Sequence, residues 1–168
     1  VRRILRELTG EVSRHAGEVG LLVGRISEMD TWLARARYAV SHGCRRAEHD
    51  AERVSLIGAR HPLLGNSVVP VTIVAGGDQR VLIITGPNTG GKTVSLKTVG
   101  ILALMNQFGM EIPSAEGSSL PLFDSILADI GDEQSIEQSL STFSAHVKNL
   151  AGIVRSAGAH SLVLVDEL

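Results

Sequence analysis

Aromatic residues are scarce in this chain of 168 residues: one Trp, one Tyr and three Phe, or 3% of the sequence. A core built from it must be aliphatic. There is a single cysteine, Cys44, which excludes an internal disulfide framework, fits a reducing compartment and points to the cytoplasm. A lone thiol at the end of a helical stretch reads as inert. No apolar run approaches the roughly 20 residues that a membrane span needs, so no membrane partner is expected. A signal-peptide pattern is also missing, since Val1-Arg2-Arg3 leads into an amphipathic segment. There is no initiating Met and no natural-looking end, so a piece of a longer protein is expected. With 43% hydrophobic and 20% charged residues, the composition is that of a globular protein. The length fits one domain, or one domain with an appendage.

Charge is unevenly spread. Residues 1–60 carry 11 Arg against 8 acidic residues, a net of +3. Residues 61–168 carry 5 basic residues against 10 acidic ones, a net of -5. The Arg-rich part could touch a nucleic-acid backbone, or its charges could be solvated helix faces. Neither part has a basic patch that would carry tight binding alone.

Residues 1 to about 42 read as helix. Ile4, Leu5, Leu8, Val12, Val19, Val23, Ile26, Leu33 and Val40 recur at steps of three or four, with gaps. Gly10, Gly17, Gly20 and Gly24 are candidate bends or close contacts. Asp30 or Thr31 is a candidate cap for a second helix, which His42-Gly43 would end. Strands are expected at 53–64, running into the turn at His61-Pro62, and at 68–74 with Pro70 at an edge. Ala75 to Gln79 reads as a hairpin turn. Further strands are expected at 81–85, starting at 108–113, at 125–128 and at 161–167. Helices are expected at 94–107 and 145–157.

Gly86-Pro87-Asn88-Thr89-Gly90-Gly91-Lys92-Thr93 matches G-x-x-x-x-G-K-[ST] between the strand expected at 81–85 and the helix that begins at Val94. That context makes it a phosphate-binding P-loop. Glycines let successive N–H groups turn toward phosphate oxygens, and the helix N-terminus adds partial positive charge. The nucleotide-binding candidates are Gly86, Pro87, Asn88, Thr89, Gly90, Gly91, Lys92, Thr93 and Val94. Lys92 would reach the β- and γ-phosphates, and the Thr93 hydroxyl would ligate Mg²⁺.

The terminal strand Ser161-Leu162-Val163-Leu164-Val165 ends in Asp166-Glu167. An Asp at that end would sit where open α/β sheets bind ligands and would hold Mg²⁺ through water. Glu167 is placed to polarise the water that attacks the γ-phosphate. These residues make Lys92 and Glu167 the catalytic candidates, with ATP/ADP and Mg²⁺ as ligands. Ser141, Thr142 and Ser144 precede the helix expected from Ala145. They could cap it, or the helix end could bind phosphate, even that of a second subunit. His61 is open between a structural and a functional part.

Several of these segments resemble one family. Ile83 to Thr93 resembles the P-loop of MutS-type ATPases, in which Gly-Pro-Asn-x-Gly-Gly-Lys is a narrow signature. Ala59-Arg60-His61-Pro62-Leu63 resembles the Arg-His-Pro element that opens their ATPase domain. Ile130 to His146, with Ser141-Thr142-Phe143, resembles their Ser-Thr-Phe loop, and Thr89 and Thr93 match the bacterial MutS-two branch. The resemblance is strong over about 53–168 and weaker over 1–50, which looks like the end of the helical core and lever.

The resemblance implies an α/β, ABC-like P-loop NTPase sheet, incomplete here and preceded by long helices. Residues 1–50 would be the core/lever segment and 51–168 the N-terminal part of the ATPase domain. It implies a homodimer with composite ATP sites, in which Ser141 and Thr142 contact the nucleotide of the other subunit. It further implies binding of branched DNA, restraint of recombination and action on collided ribosomes. A nuclease domain, where the family has one, lies outside this chain. Val68 and Val71 stand near positions where an aromatic, in the mismatch-reading branch, and an Asn are usual. The family continues past its second motif with a glycine-rich loop, more strands and a histidine that senses γ-phosphate. This piece alone is therefore expected to hydrolyse ATP poorly. Two other readings are a nucleotide-gated clamp on stalled ribosomes, with hydrolysis only as reset, and another ABC-type ATPase. Glu167 argues for hydrolysis, and Ser-Thr-Phe in place of a Ser-Gly-Gly-type loop argues against the last.

Overall fold

The computed structural model describes residues 1–65, 68–87, 90–131 and 139–166, the last stretch with side chains from 146 onward. The chain divides into two compact units, Val1–Tyr38 and Ala39–Leu168.

The first unit is helical. Helix α1 spans Arg2–Arg14 and α2 spans Ala16–His42, its last turn lying in the second unit. The break falls at His15, whose N–H donates back to Val12 at 3.2 Å. It falls neither at a glycine nor at Asp30-Thr31. Gly10, Gly17, Gly20 and Gly24 all lie within helix. The Thr31 hydroxyl donates to the Ser27 carbonyl at 2.9 Å. It is thus a mid-helix hydroxyl bonded one turn back, and no cap. The end at His42 is as expected, with Gly43 at φ +58°, a conformation that glycine adopts without strain.

In the second unit, strands β1 (Glu48–His49), β2 (Arg53–Ala59), β3 (Val71–Gly76) and β4 (Ser119–Leu120) form one sheet in the order β1-β4-β2-β3. β2 and β3 are an antiparallel hairpin. Val54 and Leu56 point into the core, but so does Ala59, an odd position. A bulge causes this change of parity: Leu56 faces Ile73, yet Ala59 faces Val71. Three residues of β2 therefore span two of β3. Gly58, at φ +55°, absorbs the extra residue. Its N–H goes to the Thr72 hydroxyl at 3.1 Å.

Strands β5 (Ser125–Asp129) and β6 (Ser161–Val165) form a separate parallel pair. Helix α4 (Ser139–Ser156) crosses between them, as parallel strands require. Helix α3 (Lys92–Gln107) packs on both. The core is aliphatic, as the composition demands. Leu56, Leu102, Ile112 and Leu120 are fully buried, while Trp32 and Phe108 are exposed.

The fold is thus mixed α/β, with four corrections to the expected elements. Residues 81–85 form no strand. Among the described residues β6 pairs only with β5, no strand there offers 81–85 a ladder, and Val81, Leu82 and Ile83 are exposed. β3 begins at Val71, after Pro70, which has no N–H to donate. The segment 108–113 contributes a single bridge, Ile112 to Arg45, because Gly109, at φ +69°, turns the chain first. Helix α4 begins at Ser139, so Ser141, Thr142 and Ser144 lie inside it and none is its N-cap.

Candidate functional site

The glycine-rich loop ends in a helix start built without a side-chain cap. Gly91 is the N-cap of α3 in the left-handed conformation, φ 74° and ψ 20°, and as a glycine it offers no side-chain cap. A Cβ there would meet no atom within 4 Å. The constraint is therefore backbone conformation, which an L side chain rarely adopts. Gly86, at φ 150°, opens the loop, and the Gly90 N–H closes a turn onto the Pro87 carbonyl at 2.9 Å. The Lys92 ammonium folds back onto the Gly86 carbonyl, beside the loop it would serve. Thr93 and Val94 are half-buried in the first turn. The Ser95 N–H and hydroxyl both donate to the Gly91 carbonyl at 2.9 Å, tying the turn below the loop. Asn88 and Thr89 lie outside the described residues.

Asp166 follows β6 directly and is half-buried. Its N–H extends the parallel ladder by donating to the Asp129 carbonyl at 3.0 Å. Helix α3 joins this strand to the loop. A Cβ on Gly100 would sit 2.8 Å from Leu164 Cδ1, two residues before Asp166. Glu167 and the side chains of Ser141 and Thr142 lie outside the described residues. The backbone of residues 141 and 142 is in the first turn of α4.

Two residues of the Arg-His-Pro element divide their work. The Arg60 guanidinium donates to the carbonyls of His42 at 3.1 Å and Gly43 at 3.4 Å, and the Arg60 backbone N–H donates to the Pro113 carbonyl at 2.9 Å. Arg60 therefore satisfies orphan carbonyls at a helix end, where a cation is favoured. His61 Nδ1 accepts the Leu63 N–H at 3.3 Å. Burial and then the Lys97 ammonium hold its pKa below the ordinary value. Cys44 is buried, and burial pushes its thiol up, reinforced by Glu111 against Arg60; this is a poor nucleophile.

One cluster escaped sequence reasoning. The Asp129 carboxylate, at the end of β5, accepts from Asn149 Nδ2 at 2.8 Å. Its buried Oδ2 lies 2.7 Å from His146 Nδ1 as an ion-pair contact and makes no hydrogen bond. The signal available was slight: an Asp ending a strand, and His and Asn three apart on the following helix. Among the described residues no group of three or more His, Cys, Asp or Glu could hold a metal by itself.

Comparison with known proteins adds a family. Residues 82–168 match the family described as MutS domain V. Over its whole length the chain is 51% identical to an endonuclease MutS2 of Pelotomaculum thermopropionicum. It is 48% identical to those of Geobacillus thermodenitrificans and Caldanaerobacter subterraneus subsp. tengcongensis. The chain spans 22% of the length of each of these relatives.

Proposed function

Since the chain belongs to the MutS domain V family, in its MutS2 branch, we propose that residues 51–168 are the N-terminal part of an ATP-hydrolysing domain with a P-loop NTPase sheet. Residues 1–50 would be the core and lever segment preceding it, in a cytoplasmic DNA-processing protein. The observation that carries the reading is the start of α3. A left-handed Gly91 that offers no side-chain cap to the first turn, with Lys92 folded over the loop, makes a fit for an anionic phosphate chain.

On this reading the loop from Gly86 to Val94, through its backbone N–H groups other than at Pro87 and with Asn88 and Thr89, cradles the phosphates of ATP, and Lys92 neutralises charge that develops on them. The Thr93 hydroxyl and Asp166 suit a hard cation, with phosphate and water oxygens completing its shell. Mg²⁺ so bound would draw charge from the β- and γ-oxygens. Glu167 takes the proton of the attacking water as its oxygen bonds to the γ-phosphorus. The bond to the β–γ bridging oxygen breaks, giving ADP and inorganic phosphate. Ser141 and Thr142 serve the nucleotide of a second subunit, so the active form is a homodimer. The protein binds branched DNA and restrains recombination by this cycle. Endonuclease activity, which the relatives' names claim for them, is assigned to a part of the protein outside this chain.

The test is ATP turnover by the full-length protein, with and without branched DNA and with and without ribosomes. Stimulation by branched DNA, lost in Lys92→Ala and Glu167→Ala, is expected. Stimulation by ribosomes alone would shift the partner, and full turnover in Glu167→Ala would remove that residue's role.

A further inference from the structure

The face that α4 turns to the sheet changes character along its length. Ile153 is buried and Leu150 half-buried. One and two turns nearer the N-terminus the same face carries Asn149 and His146. Both meet Asp129, which is only 8% exposed. Of the three only Asp129 is buried, His146 being half-buried and Asn149 exposed, and an apolar residue in place of that carboxylate would cost less, because buried charged groups seldom outdo well-packed apolar replacements in stability. A polar trio adds directionality, since the Asn149 bond holds only one rotation and one height of α4 on β5.

Its location gives that directionality a use. The carbonyl of Asp129 accepts the N–H of Asp166 at 3.0 Å. His146 follows Ser141 and Thr142 by about 6–8 Å along the same helix. One residue thus touches both the strand end that carries Asp166 and the helix that carries the Ser-Thr pair.

We infer that Asp129, His146 and Asn149 are a positioning cluster for the ATPase reaction, holding α4 in register with the end of β6. The inference rests on the ATPase reading above. None of the three touches the reacting atoms. They fix the spacing between the hydroxyls offered to one nucleotide and the carboxylates serving another.

The experiment uses the full-length protein and compares His146→Leu, His146→Asn, Asp129→Asn and the double variant Asp129→Asn/His146→Leu. Steady-state ATP turnover, binding of a fluorescent ATP analogue and thermal unfolding are measured for each. His146→Leu is expected to lower kcat about tenfold or more, as loss of alignment does. KM and analogue affinity should change less than about threefold, and Tm by less than about 2 °C. His146→Asn keeps a nitrogen near the Nδ1 position and should restore most of the rate. The double variant should be no slower than the slower single one, since both break one unit. Wild-type kcat in both His146→Leu and Asp129→Asn, with Lys92→Ala inactive, overturns the cluster alone. Parallel loss of rate, affinity and Tm that Asn does not rescue also overturns it, leaving a packing role. Lys92→Ala as active as wild type overturns the ATPase reading, and the cluster with it.

Discussion

The two units of this chain use apolar residues in opposite ways. In Val1–Tyr38 no residue is buried, and only Arg35 and Tyr38 are half-buried. Ile4, Leu5, Leu8 and Val12 form a regular stripe that lies open, each more than half exposed. Ion pairs of this unit, such as Arg3–Glu7 on α1 at 3.2 Å and Arg25–Glu28 on α2 at 3.1 Å, are exposed too and each contributes at most about 0.5 kcal/mol. In Ala39–Leu168 the same residue types close around Leu56, Leu102, Ile112 and Leu120. Periodicity defines an element, and only a facing surface turns that element into a core. The first unit has the pattern without the surface.

That contrast can be broken at several points, the largest at the loop. Lys92→Ala should reduce ATP turnover of the full-length protein by about a thousandfold, some 4 kcal/mol of barrier. It should leave far-ultraviolet circular dichroism unchanged, because Lys92 lies in the first turn of α3 and is not among the buried core residues. Next is the core itself. Leu102→Ala should cost about 2–5 kcal/mol, read as lost hydrogen-exchange protection in α3 during urea titration. In the helical unit Leu8→Ala should cost below about 0.5 kcal/mol. A loss comparable to that of Leu102→Ala would mean that the longer protein covers the stripe, and the contrast would vanish.

The smallest effect concerns pH. The folded-state pKa of His61 is depressed, so the unfolded chain takes up its proton first as pH falls. Stability from this group is present above the ordinary histidine pKa and is lost as pH drops through the depressed value. The urea midpoint of wild type should fall between about pH 7.5 and 5.5, and that of His61→Gln should fall less. Equal slopes would remove His61 from the account.

Much of the second unit was legible because its signals are local. The glycine spacing around Lys92, the helix to Gln107 and the apolar strand before Asp166 each follow from residues within one element. The failures were at a distance. Residues 81–85 have strand composition, but a strand exists only beside another. The hydroxyls at 141, 142 and 144 have cap chemistry, but α4 begins earlier at Ser139. Thr31 could equally bond forward or back, and a continuing helix chose back. Asp129, His146 and Asn149 are 17 and 20 residues apart in sequence and meet only when α4 lies on β5. Arg60 reaching the carbonyls of His42 and Gly43 was hidden in the same way.

Gly100 carries a last consequence. A Cβ on Gly100 would press on the Leu164 methyl, so the Leu164 side chain packs directly against the backbone of α3. A slip of one residue along the helix would press Val99 or Ile101 into the strand, and a close-packed interior resists that. A slide of α3 along β6 would thus have to displace the Leu164 side chain, two residues before Asp166.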